Sequence, residues 1–233
     1  MTDRLGLGEQ IRIAIRRQVA GADTSTQCRE PLVAFAAADD PCFRQLAEVH
    51  CPGHLAPEDI LSGARSVVSF FLPFAGSVVD ANAEHRTDVA SEWALAYVET
   101  NALIGRIADH LQGLLAAEGV LSAAEPATHN FDPVTLRSRW SHKSVAVIAG
   151  LGSFGVHQMV ITDAGCAGRF GSLVVDTDLP AELTDKRNRC LYYVDGSCLE
   201  CVLRCPVNAL DVDGSLDKST CYRRLLGVSE GFK

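Results

Sequence analysis

Five cysteines gather near the end of the chain, at Cys190, Cys198, Cys201, Cys205 and Cys221. Cys198-Leu-Glu-Cys201-Val-Leu-Arg-Cys205-Pro206 has the form C-x2-C-x3-C-P, the second half of the bacterial run whose thiolates hold iron–sulfur clusters. The close spacing lets consecutive thiolates face one cluster, and Pro206 stops the chain from continuing as helix. Asp195 stands where the first cysteine of the run would fall, and Cys190 lies five residues before it. Zinc is the first alternative, but its sites usually show two C-x2-C pairs or a pair with histidines. Here Cys198/Cys201 is the one close pair, and no histidine follows His157. A disulfide framework needs an oxidising compartment, and nothing at the N-terminus reads as a secretory signal.

Other residues could also do chemistry. Gly150-Leu-Gly152-Ser-Phe-Gly155 matches G-x-G-x-x-G after the apolar run Ser144–Ala149, with Asp176 about 20 residues on. That pattern suggests a dinucleotide site, although a lone glycine fingerprint is weak and little chain is left for the helix. Trp140-Ser141-His142-Lys143 offers a hydroxyl, an imidazole and an ammonium for acid–base work or anion binding, or else a helix start capped by Ser141. Gly165-Cys166-Ala-Gly168-Arg169-Phe-Gly171 reads as an anion-binding loop using Arg169, or as a tight hairpin. His50-Cys51-Pro-Gly-His54 has metal-ligand residue types on a turn, and a polar turn is the simpler reading. Cys28 and Cys42 have no partner pattern and read as buried small residues.

These groups must be positioned by a mixed set of elements. Residues 3–20 carry apolar side chains at helical spacing, and so do residues 93–118, the longest periodic stretch. Residues 32–38 form a short apolar run, 42–50 a short helix, and Pro57 opens a helical turn. Residues 65–72 make the best strand of the first half, closed by Pro73. Residues 119–135 look like loop, 145–149 and 156–161 like short buried runs, and 173–176 like a strand. Residues 177–189 are polar and suit a linker.

The 233 residues suffice for one large domain, or for a domain and a small module, and 47% apolar content supports a proper core. A net charge of −8 disfavours a general nucleic-acid-binding surface while leaving room for a local basic patch. No apolar stretch is long enough to span a membrane. Nine cysteines without a signal peptide point to the cytoplasm and to metal or redox use.

Taken together, Trp140–Gly155, Leu173–Asp176 and the cysteine run ending Cys205-Pro206-Val-Asn-Ala209 resemble the epoxyqueuosine reductase family, as do Ala64–Val68 and Pro73-Phe74. The resemblance runs from about residue 55 to 223. It implies an α+β fold: a nitroreductase-like, cobalamin-binding domain (1–180), then a small C-terminal ferredoxin-like iron–sulfur module (181–233). It implies one or two 4Fe–4S clusters passing electrons to a corrinoid that reduces the substrate, with Gly150, Gly152 and Gly155 packed against corrinoid or substrate; Arg169, from the glycine-rich loop, is a further cofactor-binding candidate. In the tRNA enzyme of the family the reaction removes the epoxide oxygen of epoxyqueuosine.

Ser141-His142-Lys143 stands where the family carries Glu-Arg, which makes His142 the candidate proton donor. With one cluster, Cys198, Cys201 and Cys205 would be joined by Cys190 or Cys221. With two, Cys205 and Cys221 would serve one, and Cys190, Cys198 and Cys201 the other. The two-cluster pattern calls for more cysteines beyond Cys221, so either the chain continues past the residues given or it holds one cluster. The expected electron donor is a ferredoxin or flavodoxin, and the substrate a small molecule or a modified tRNA base. The rivals are a non-catalytic electron carrier or corrinoid activator, a nicotinamide-dependent reductase using the GLGSFG loop, and a zinc-stapled binding domain.

Overall fold

A computed structural model describes residues 4–128, 130–181 and 187–232. In chain order the elements are α1 (Arg4–Ala20), β1 (Leu32–Ala37), α2 (Pro41–Val49), α3 (Pro57–Ile60), β2 (Ser66–Pro73), α4 (Gly76–Ala83) and α5 (Ser91–Ala117). There follow β3 (Ser122–Ala123), β4 (Phe131–Asp132), β5 (Arg137–Ser138), α6 (His142–Ile148), β6 (Gly152–Phe154), β7 (Val160–Thr162) and β8 (Gly168–Val175). The tail carries α7 (Leu191–Asp195), α8 (Glu200–Leu203) and α9 (Lys218–Gly231).

The centre is an antiparallel sheet in the order β1-β2-β8-β3. All eight residues of β2 are buried, because both faces of the sheet are covered. Val68, Phe70 and Leu72 point to one face and pack with Ile11 and Ile15 of α1 and Ile104, Ile107 and Leu111 of α5. Val67 and Phe71 point to the other and pack with Phe43 of α2, Trp140, and Val145 and Ala146 of α6. That alternation is the period of two expected of a strand. β2 pairs with β8 along its full length, from Ser66↔Val175 to Pro73↔Gly168. A Cβ on Gly168 would strike the Leu72 carbonyl, and one on Gly171 the Phe70 ring, so the close pairing of β2 and β8 requires glycine there.

Several expectations change. Residues 145–149, read as a short buried run, are the end of α6 and its C-cap, and Ser141 caps the start of that helix, its side chain accepting from the Ser144 N–H. The run was too short for helical periodicity to register. Residues 173–175 are the end of a longer strand, β8, whose glycines hid its first half, and Asp176 lies just past it. The 156–161 run is a turn leading into β7. The stretch 119–135 holds β3 and β4 as well as loop. The start of the proposed linker is tied down: Leu179 is buried in the core, its N–H donates to Ser66 Oγ at 2.8 Å, and Arg65 grips Asp178 with two hydrogen bonds. Residues 182–186 of that linker lie outside the described residues.

The tail is attached differently. Of the described residues after 187, only Cys190 and Ala209 are buried. Polar contacts hold it to the sheet-centred part. The Arg189 N–H donates to Ser153 Oγ at 2.9 Å, Arg189 and Arg187 pair with Asp163, Arg204 donates to the Ala83 carbonyl, and Gln158 donates to the Gly214 carbonyl.

Candidate functional site

The GLGSFG segment lies between a helix and a hairpin, the reverse of a dinucleotide loop, where a strand runs through the glycines into a helix. Gly150 has φ +83° and ends α6. The Leu151 N–H bonds to the Ala146 carbonyl and the Gly150 N–H to the Val147 carbonyl, a Schellman cap. Gly152 then enters the β6–β7 hairpin, where a Cβ would strike the Ile161 carbonyl. At Gly155 a Cβ would crowd the side chains of Ile161 and His157. The chain's own contacts thus account for all three glycines. No βαβ unit surrounds them, and Asp176 accepts from the Leu121 N–H at 2.9 Å.

His142 is buried in a closed network. The Pro126 carbonyl can only accept, so His142 Nε2–H donates to it at 3.1 Å, and Nδ1 accepts from Ser172 Oγ at 2.8 Å. The Trp140 indole donates to the same Ser172 Oγ at 2.9 Å. Burial pushes the His142 pKa down to about 4, so the ring is neutral near pH 7 with both nitrogens engaged. Arg169 stacks over the Tyr97 ring at 4.4 Å and donates to Asn101 Oδ1 at 3.1 Å; both partners lie on α5, away from the glycines.

The neighbour of His142 points the other way. Lys143 lines a cleft of about 220 Å³ together with His50, Ser141, Ser144, Phe154, Gln158, Gly214, Leu216 and Lys218. The cleft lies where α6, the β6–β7 hairpin and the tail meet. Lys143 Nζ donates to the Gln158 carbonyl at 2.9 Å, and Lys218 Nζ to the Leu136 carbonyl at 3.4 Å. Burial, then repulsion from Lys218 and Arg169, lowers the Lys143 pKa to about 8. Burial, then His54, Lys218, Arg137 and Lys143, lowers that of His50 to about 4. Among the described residues, no metal-ligand cluster forms at the His50–His54 turn. His54 Nδ1 donates to the Leu55 carbonyl, its Nε2 accepts from the Ser141 N–H, and Cys51 Sγ donates to the Ser138 carbonyl.

The tail cysteines fall into two groups. Burial, and after it the nearby Cys190 and Cys198, raise the Cys201 pKa. The Cys166 thiol is raised by burial and by Cys201. Asp163, three residues before Cys166, holds Arg189, the residue before Cys190, so the two segments are pinned together. Cys221 is raised by burial and by Cys205. Burial also raises Cys205, but backbone N–H groups of Val207, Ala209, Leu210 and Asn208 outweigh it and favour the thiolate. The Ala209 N–H lies 3.2 Å from its sulfur. Asn208 takes the left-handed conformation, φ +50°, in the turn that aims these amides. Among the described residues, no three His, Cys, Asp or Glu side chains close around a single metal ion.

The sequence did not mark Cys166, His50, Gln158 or Lys218 for these sites. Each reaches its neighbours through pairings between distant segments. The glycines flanking Cys166 were the one local hint.

No family model matches the chain. It is 35% identical over 90 residues to an epoxyqueuosine reductase of Aliivibrio fischeri, a match covering 38% of this chain and 23% of that one. It is 26% identical over 177 residues to that of Vibrio cholerae, covering 72% and 43%. The matched stretches thus span less than half the length of these curated relatives. Among solved structures, epoxyqueuosine reductase from Bacillus subtilis superposes with a TM-score of 0.59 at 18% identity, covering 93% of this chain and 57% of that one. An epoxyqueuosine reductase with an epoxyqueuosine-modified tRNA stem loop gives 0.57 at 18% identity, covering 93% and 57%. A reductive dehalogenase described in terms of B12-dependent dehalogenation gives 0.51 at 16% identity, covering 77% and 23%. The chain therefore resembles the epoxyqueuosine reductases in sequence, and its fold is like theirs and like that of the reductive dehalogenases.

Proposed function

We propose that this chain is an iron–sulfur reductase of the epoxyqueuosine reductase type. The feature that carries the reading is the run Cys198-x2-Cys201-x3-Cys205-Pro206, with Cys190 and Cys166 as electrostatic neighbours of Cys201. Cys166, Cys190, Cys198 and Cys201 would supply the four thiolates of a 4Fe–4S cluster, an all-sulfur donor set with no histidine. When bound, such a cluster supplies electrons one at a time. Cys205 and Cys221 form a second pair, and its backbone amides prepare Cys205 as a thiolate. Two thiols do not complete a cluster.

The cleft beside Lys143 would receive the substrate. Lys143, with a pKa near 8, is the group there able to hold a proton and release it near neutral pH. His142 would act as a positioning residue, fixing the start of α6 through Ser172 and Pro126. The substrate class, by likeness to the relatives, is an epoxide-bearing modified nucleoside, free or in RNA. Two electrons and two protons would convert the epoxide to an alkene and release its oxygen as water. A ferredoxin or flavodoxin would supply the electrons. A corrin macrocycle is larger than this cleft, which would take the substrate alone.

Iron and sulfide analysis with electron paramagnetic resonance of anaerobically purified protein tests the reading. About four irons per chain are expected, falling close to zero in C201S and at least by half in C166S. Zinc without iron would sink the proposal. A second reading, a non-catalytic electron carrier, draws on the exposed Leu191, Val194 and Leu203 around the cysteines, an apolar face suited to a redox partner. Iron-loaded protein that exchanges electrons with a ferredoxin but leaves an epoxyqueuosine stem loop unchanged would favour it.

A further inference from the structure

We infer that the cleft between α6, the β6–β7 hairpin and the tail binds a phosphate-class oxyanion through Lys143, Lys218 and His50. The chain carries a net charge of −8, yet the nine residues lining this cleft include two lysines and no carboxylate. Arg137 adds a third cation behind it, donating to the His50 carbonyl at 2.5 Å. The nearest acid in sequence, Asp217, is committed to capping α9, where it accepts from the Thr220 N–H at 3.0 Å and Ser219 Oγ at 2.7 Å.

The two ammonium groups meet only neutral acceptors: Lys143 has the Gln158 carbonyl and the Met159 sulfur, and Lys218 the Leu136 carbonyl. An ammonium has three N–H donors, so each keeps donors to spare. His50 Nε2 is a second, independent sign. It is buried without a hydrogen-bond partner, on a residue that lines the same cleft. A buried polar atom left unpaired is costly and needs a reason. An oxyanion with several acceptor oxygens would satisfy both ammonium groups and the imidazole together, the point-charge recognition that lysine gives phosphate. At about 220 Å³ the cleft has room for a phosphate group and the atoms next to it. This deepens the reading above by naming the class of group the site takes. It rests on that reading only for where the phosphate comes from.

The test titrates the full chain with inorganic phosphate at fixed ionic strength, followed by calorimetry and by ³¹P line broadening. Saturable one-to-one binding is expected, weakened at least tenfold in K143Q and in K218Q and unchanged in R16Q, a cation on the surface of α1. Lys143 is the more buried lysine, so K218Q keeps the test valid if K143Q fails to fold. Non-saturable binding, or wild-type affinity in folded K143Q and K218Q, would overturn the assignment. Displacement of phosphate by a nucleoside 5′-monophosphate alone would assign a terminal phosphate; displacement by a dinucleoside phosphate alone would assign an internal phosphodiester. Phosphate binding by iron-free protein would leave this site standing without the reductase reading. Iron-loaded protein that ignores phosphate would remove this site alone.

Discussion

The sheet-centred part and the cysteine tail are held by different physics. In the first, β2 is buried on all eight residues, and Phe70, Phe71 and Leu72 are wholly out of solvent. In the second, Leu191, Val194, Leu203, Leu225 and Leu226 remain exposed, and the tail is fixed by hydrogen bonds and ion pairs to Ser153, Asp163 and Ala83. Burial at roughly 25 cal/mol per Å² stabilises the first strongly. Exposed ion pairs contribute little. The contrast teaches where each kind of function can sit: a rigid scaffold presents Lys143 and the hairpin, while a weakly packed tail brings in thiols whose arrangement a cluster would lock.

That contrast can be broken from either side. Phe70→Ala removes a fully buried ring between β8 and α5. It should destabilise the sheet-centred part by about 3–5 kcal/mol in denaturant unfolding. An unfolding midpoint close to wild type would show that the sheet is not what holds this part together.

Acid should act on the same part next. His142 and His50 have folded pKa values near 4 against 6.5 unfolded, so between those values the unfolded chain binds more protons. The stability is fully present above pH 6.5 and is lost as the pH falls toward 4, with His142 accounting for on the order of 3 kcal/mol. The tail carboxylates Asp195, Asp213 and Asp217 have pKa values below the ordinary range, through hydrogen bonds to Ser197, Ser215 and Thr220, and keep their charge across that window. Unfolding at pH 7 and pH 5 in wild type and H142Q measures it, and an equal pH dependence in the two would remove His142 as the cause.

The smallest effect belongs to the tail. Asp163→Ala removes an exposed carboxylate from the exposed Arg187 and the largely buried Arg189 and should cost about 1 kcal/mol globally. It should nevertheless speed amide exchange around residues 189–191, because it loosens the attachment of Cys190. Unchanged exchange there would mean that the Ser153 contact alone secures the segment.

Much of this was legible in the sequence where the signal is local. The apolar run of β2, the helical spacing of α5, the Ser141 cap and the cysteine run each rest on neighbouring residues. Other features were not. Residues 145–149 read only as a short buried run, because so short an apolar stretch has no period to read. The glycines of GLGSFG match a dinucleotide fingerprint, yet they stop a helix and admit a hairpin. Arg169 sits in a loop-like context but turns to Tyr97 and Asn101, more than 60 residues away in sequence.

The sequence by itself determined which chemistry is available: thiolate ligands in a tail, and an imidazole and an ammonium at the head of one short helix. Only the tertiary structure decided which of these face each other. Neighbours on a helix point to different sides, so α6 turns His142 into the core and Lys143 into the cleft. The β2–β8 pairing and the Asp163–Arg189 contact bring Cys166 toward the tail. Contacts between residues tens of positions apart leave no local pattern, because they depend on how whole elements pack.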